Sequence, residues 1–348
     1  MRFKRPARSI VSFLFILGLW ATPLTAQSAA PSASPITSPT PGEANDQNGQ
    51  NGEEQPLETL KVNVNLVNIY FNVKDKHGAL IPGLTQNDFQ LFEDGKDQTI
   101  KYFTASSDQP LTLGIMLDTS PSQANVLGIE KMVGVQFLRD VMRTKDEAFL
   151  VSFDVDVSLL QDFTNRVSDI RNAMEKAHIN GGGVMMPGTA GGPIPISHPK
   201  GTLLYDAIYL AGNEILSKEV GRKAMIILTD GEDFGSKMKL KDAVEAAQKA
   251  DAIVYVLLIA DRGGMYQGFG EGEMSRVAAE TGGRVVNVGN NQDKLRQAFD
   301  EISKELRSEY AIGYKSTNQK HDGTFRKIEI KAKDYKIQVR KGYYAPTE

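Results

Sequence analysis

Asp118-Thr119-Ser120-Pro121-Ser122 sets one carboxylate and two hydroxyls at i, i+2 and i+4. A ligand set that is all oxygen and carries little charge suits a hard cation such as Mg2+. An apolar run, Leu111–Leu117, precedes it, and helical periodicity follows. The three side chains are therefore expected in a turn at the carboxyl end of a buried strand. In open α/β sheets that edge is where ligands bind. D-x-S-x-S alone is a common pattern, so other segments must supply the remaining ligands.

Two other segments qualify. Ala224–Leu228 runs into Thr229-Asp230-Gly231, which would put Asp230 on the same edge as Asp118. Gly201-Thr202 opens a helical stretch after a Gly/Pro-rich loop, and Thr202 is either a ligand or a helix N-cap. Asp230 could likewise serve only to hold a turn. Histidines 77, 178, 198 and 321 are scattered and form no H-x-H or H-E-x-x-H pair, which argues against a zinc site. The chain has no cysteine, hence no disulfide, thiolate metal site or lipid-modified cysteine.

The elements that must hold these residues follow from hydrophobic periodicity. Buried strands are expected at Leu111–Leu117, Ala148–Phe153, Lys223–Thr229, Ala252–Ile259 and Arg284–Val288, with Val157–Phe163 as an antiparallel edge. Helical stretches fall near Asn125–Met142, Val167–Ala177, Leu203–Ser217, Leu240–Ala250, Glu273–Thr281 and Gln292–Leu306. Near-continuous apolar strands alternating with amphipathic helices imply a doubly wound, mostly parallel α/β sheet over 108–308.

The flanks read as β structure. Leu60–Leu66 alternates, and Ile69, Phe71 and Val73 continue on a shifted phase that suggests a bulge. Asp75–Gly78 and Glu93–Gly95 supply turns. After the last helix come Tyr310–Lys315 and an expected hairpin from Ile328 to Val339 that turns at Asp334-Tyr335. Neither flank can build a core alone, so 57–107 and 309–348 are expected to pack together as a β-sandwich-like domain.

At the start, Arg2, Lys4, Arg5 and Arg8 precede an apolar run from Ile10 to Ala21 and a small-residue cut site after Ala26. This reads as a secretory signal peptide over 1–26, leaving no transmembrane segment once it is cleaved, and places the protein in the periplasm or outside the cell. Residues 27–56, rich in Pro, Ser, Gly and Asn, read as a disordered linker. The net charge of -3 gives no electrostatic case for nucleic acid.

Asp118, Ser120, Ser122, Thr202 and Asp230, in this order and context, resemble the metal-ion-dependent adhesion site (MIDAS) of von Willebrand factor type A (VWA) domains. The resemblance covers about 60–346. It implies a Rossmann-like fold with the serines and Thr202 binding Mg2+, or Mn2+ or Ca2+, directly or through water. Asp118 and Asp230 would hold coordinating waters or enter the first shell. Pro121 stands where many members have glycine, which stiffens the loop. Leu84–Gly95, Leu228–Asp233 and Gly342–Pro346 look like the acidobacterial-type VWFA-related exported proteins. The partner so implied is a protein presenting a carboxylate at an open metal position, as in cell adhesion.

Catalytic readings are weaker. Asp154-Val-Asp156 looks like the phosphotransferase motif of haloacid dehalogenases, but the strand expected next makes a hairpin turn the better account. Ser236-Lys-Met-Lys239 fits S-x-x-K without its companion motifs. The glycines of Asp261–Gly272 lack dinucleotide spacing, so no nucleotide is expected. That loop and Asn180–Lys200 are expected to wall the metal site. The chain thus reads as a non-enzymatic binding module. The alternatives are an envelope protein using metal for stability and, third, a Mg-dependent hydrolase or phosphotransferase.

Overall fold

Four strands open the described chain: β1 (Leu66–Lys74), β2 (Phe89–Glu93), β3 (Lys96–Gln98) and β4 (Ile100–Ala105). An alternating run follows, with β5 (Leu111–Asp118), α1 (Leu127–Val141), β6 (Glu147–Phe153), β7 (Val157–Thr164), α2 (Val167–Lys176) and α3 (Leu204–Leu210). It continues through β8 (Arg222–Thr229), α4 (Leu240–Lys249), β9 (Ala252–Leu258), α5 (Glu271–Thr281), β10 (Val285–Asn287) and α6 (Gln292–Arg307). Strands β11 (Tyr310–Lys315), β12 (Phe325–Ala332), β13 (Lys336–Val339) and β14 (Gly342–Tyr344) close it. The computed structural model describes residues 66–105, 109–179, 201–259 and 270–347. The signal-peptide and linker readings, Leu60–Asn65, the loop Asn180–Lys200 and most of Asp261–Gly272 lie outside them. Among the described residues no helix is long and apolar enough to cross a membrane.

The central sheet has the order β10-β9-β8-β5-β6-β7, parallel throughout except for β7, which pairs antiparallel with β6 at the edge. Because side chains alternate along a strand, Leu111, Leu113, Ile115 and Leu117 of β5 face one way, into a core shared with α1, α2 and α6. Met116 faces the other way, into a core shared with α3, α4 and α5. The fold is thus a mostly parallel sheet covered on both faces. At Gly114 an added Cβ would lie 2.4 Å from the ring of Phe149, its register partner on β6. The missing side chain is what lets that ring fill the core.

Two antiparallel sheets flank this layer, ordered β13-β1-β11-β4 and β14-β12-β2-β3. Each mixes N-terminal and C-terminal strands. Ile69, Phe71, Leu91, Ile312, Ile328 and Tyr343 belong to the one core between them. Buried Glu93 ties the layers together, accepting the hydroxyls of Tyr314 (2.6 Å), Ser316 (2.6 Å) and Tyr343 (3.0 Å).

Two expectations need correction. The phase shift near Leu66 is not a bulge within the described part of β1, which pairs without interruption with β11. The irregularity lies on the other side of β11, against β4 at Gly313/Tyr314. Nor do β12 and β13 form a hairpin: β12 pairs with β2 and β14, while β13 pairs with β1. The Asp334-Tyr335 turn instead carries the chain from one sheet to the other, because an apolar face on each strand lets both layers contribute to one core.

Candidate metal centre

Strand β5 ends in Asp118 beside the end of β8, since Leu117 pairs with Leu228. The chain runs from β5 to β6 on one side and occupies β8 only later, on the other. These neighbours therefore form the sheet's topological switch point, where connections diverge and leave a crevice.

Asp118 is fully buried, and both its oxygens are held: Oδ1 accepts the Ser120 amide at 2.9 Å and Oδ2 the Thr229 hydroxyl at 2.7 Å. Burial, and next the Asp230 carboxylate, pushes Asp118 up to about 7. Ser120 Oγ and Ser122 Oγ lie 3.0 Å apart, the first residue buried and the second exposed. Pro121 starts a short 3-10 turn through Gln123, a position where its fixed φ is already suitable. It therefore shapes the turn between the two serines without breaking it.

Asp230 is half-buried and accepts the Glu232 amide at 3.1 Å. Gly231 follows with φ +90, and its backbone packs so closely on Gly270 that a Cβ on Gly270 would sit 1.9 Å from the Gly231 oxygen. That contact fixes the turn after Asp230 against the start of α5.

Thr202 reaches the edge through backbone bonds. Its N–H donates to Phe234 O and it accepts the Phe234 N–H, each at 2.9 Å. Leu203 N–H donates to Asp154 O at 2.8 Å, and the Thr119 hydroxyl donates to Asp154 Oδ2 at 2.6 Å. The loops after β5, β6 and β8 and the start of α3 are thereby linked side to side. Thr202 is not the N-cap of α3, which is Leu203 and has no side-chain cap bond. The helix is capped from the loop after β8 instead: Asp233 accepts the Tyr205 amide at 3.0 Å, and Ser236 Oγ accepts the Asp206 amide at 3.1 Å.

The structure thus places Asp118, Ser120 and Ser122 at the end of β5 and Asp230 just past the adjacent β8, and ties Thr202 to the loop that Asp230 opens. The donor set fits a divalent cation, because a buried carboxylate pressed by a second negative charge is relieved by a positive one. Among the described residues no three of His, Cys, Asp and Glu converge on one point. A cation here would rest on two aspartates and neutral hydroxyls.

Several contributors were not anticipated. Thr229, quoted in the sequence only as part of a turn, anchors Asp118. Buried Asp206 accepts the amides of Lys237 and Met238 at 3.0 and 2.8 Å. Asp233 accepts the Ser236 hydroxyl at 2.6 Å, which accounts for the serine of S-x-x-K. Asp154 lies in the β6–β7 hairpin turn and accepts the Asp156 amide at 3.1 Å, so its carboxylate is occupied as a tether.

No family model matches the sequence, and no curated protein does. Among solved structures, the chain is similar to the conserved hypothetical protein BatB from Bacteroides thetaiotaomicron, at 21% identity over 57% of this chain and 100% of that one, with TM-score 0.44. It is similar to the VWA domain of SpRpn10 at 10% identity over 55% of this chain and 94% of that one, with TM-score 0.39. Proximal thread matrix protein 1 from the mussel byssus, with a zinc-occupied MIDAS motif, is 17% identical over 62% of this chain and 50% of its own, with TM-score 0.46. The chain therefore spans about half of that protein's structure.

Proposed function

We propose that this chain is an exported, divalent-metal-dependent protein-binding module of the von Willebrand factor type A kind, with motifs that resemble those of the acidobacterial-type VWFA-related exported proteins. Asp118, Ser120, Ser122, Thr202 and Asp230 would hold Mg2+, Mn2+ or Ca2+, and the bound ion would accept a carboxylate from a protein partner at an open position. The observation that carries the reading is the pairing at the switch point: Asp118 ends β5, and Asp230 follows β8, the adjacent strand. Two aspartates roughly neutralise a divalent ion and leave it electrophilic toward an external anion. A hydrolytic centre would need a base or second metal close by, and the carboxylate nearest in motif, Asp154, is engaged with Thr119. The module is therefore read as recognising its partner without transforming it.

The test is capture of an envelope protein partner by the full chain in Mg2+ and in EDTA, with Asp118→Ala as control. Capture in Mg2+ only, lost in the variant, is the expected result. Equal capture under all three conditions would overturn the mechanism. Because Asp118 also pins β5 to β8 through Thr229, metal used for stability alone is the second reading. It predicts a large Mg2+-dependent rise in melting temperature with no change in capture.

A further inference from the structure

Where the sandwich meets the carboxyl end of α4, the structure opens a cleft of about 470 Å3, within the range of sites that take a ligand. Lys249, Lys320, Arg326 and Arg340 line it against one acid, Asp251, in a chain whose net charge is -3. Its walls are braced. Arg326, 2% exposed, donates to Ser316 Oγ at 3.2 Å and to the Lys320 carbonyl, which holds the chain between β11 and β12 in place. Arg340 donates to Asn68 O at 2.8 Å and pairs with Asp251 across the junction. The rings of Tyr343 and Tyr344 lie against the charges of Arg340 and Lys249, at 5.8 and 5.2 Å.

The described residues answer this positive charge only in part. Arg326 stands 3.6 Å from Glu93 and 4.0 Å from Asp322, yet the buried Nε atoms of Arg326 and Arg340 have no partner. Lys249 pairs with Glu245 at 2.7 Å while 55% of its side chain stays exposed. Lys320 is exposed, and among the described residues no ion pair holds it.

Leu66, the first described residue, also lines the cleft. Strand β1 runs antiparallel to β11 with Leu66 opposite Lys315, so the chain leading into β1 arrives beside the residues that follow Lys315, Lys320 among them. From 27 to 60 that chain holds Glu43, Asp46, Glu53, Glu54 and Glu58 and no Lys, Arg or His. Glu58 and Glu53 precede Leu66 by a contour of at most about 28 and about 45 Å. A tether this short keeps its acids at roughly millimolar concentration around the cleft, so ion pairs too weak to hold a free peptide suffice.

We propose that the cleft takes the acidic segment just upstream of β1, with the carboxylates of Glu53, Glu54 and Glu58 meeting Lys320 and Lys249. The metal site plays no part in this contact.

Carbodiimide coupling of the dilute full chain, which joins a carboxylate to a lysine amine in contact with it, tests the proposal, with links mapped by mass spectrometry in the monomer fraction. Links from Glu53, Glu54 or Glu58 should fall on Lys320 and Lys249 and drop about fivefold in 1 M NaCl, where charges are screened beyond about 3 Å. Lys320→Glu should lower the links to Lys249 by a similar factor, and adding Glu53→Lys and Glu54→Lys should restore them through Glu58. Absence of links from these glutamates overturns the inference. So do links spread evenly over surface lysines, or gathered on Lys131 in the basic groove between α1 and α2. A Lys249 yield that ignores salt and both charge swaps overturns it as well, and links found only between two chains would assign the cleft to a second copy instead.

Discussion

Asp233 illustrates how a residue that need not touch a cation can set its geometry. It takes the Tyr205 amide and the Ser236 hydroxyl, and the next residue, Phe234, forms the two-way bridge to Thr202. Replacing Asp233 with alanine removes the cap of α3 and loosens the bridge. Asp233→Ala is expected to cost about 1 kcal/mol of stability and to weaken Mn2+ binding several-fold, as read by melting and calorimetry. Asp118 and the two serines were legible in the sequence because their spacing is itself the signal. Thr229, Asp206 and Asp233 were not, because a lone polar residue near a turn reads equally well as a turn former, and only tertiary contact distinguishes the cases.

The strands of the parallel sheet were the easiest elements to read, since burial on both faces requires runs such as Leu111–Leu117 and Ala224–Leu228 to be nearly continuous. Pairing partners were harder. Nothing in Ile328–Val339 separates a hairpin from two strands in facing sheets, because both need one apolar face. Periodicity also could not resolve the end of α3, which widens into a π-helical turn at Ala211–Ile215 before a 3-10 turn. There Gly212 allows the backbone to approach α4, with Ala246 O only 2.8 Å from where a Cβ would stand. The close fit of β5 to β6 at Gly114 gives a direct test of element packing. Gly114→Val is expected to lower stability by about 1–3 kcal/mol through overpacking against Phe149, measured by denaturant unfolding.

At the scale of the whole molecule, the α/β layer is inserted into a sandwich whose two halves of sequence are far apart. Its two ends lie side by side, because Ala105 of β4 pairs with Tyr310 of β11. Buried charges fasten the junction: Arg222, at the start of β8, stands 3.3 Å from Glu309 and also donates to Gln109 O at 3.0 Å. Burial pushes Glu309 up to about 7 from an ordinary 4.5, with Arg222 opposing. A proton held more tightly in the folded state than in the unfolded one makes stability fall as pH rises between these two values. Glu309→Gln should flatten that slope, checked by melting metal-free wild type and variant across the window. Overlapping slopes would show that Glu309 does not govern it. The shared sandwich was legible from the shortage of core in each flank, whereas the junction charges were not, since their partners are distant in sequence. One consequence concerns mechanical load. Strand β1 lies between β11 and β13, antiparallel to both, and antiparallel rungs run perpendicular to their strands. Tension applied at Leu66 along the axis of β1 therefore shears the rungs to β11 over Leu66–Phe71 and to β13 over Phe71–Lys74 and does not peel them one by one. It then divides between two covalent routes, after β4 and before β11, to reach the opposite end of the parallel strands, where Asp118 sits.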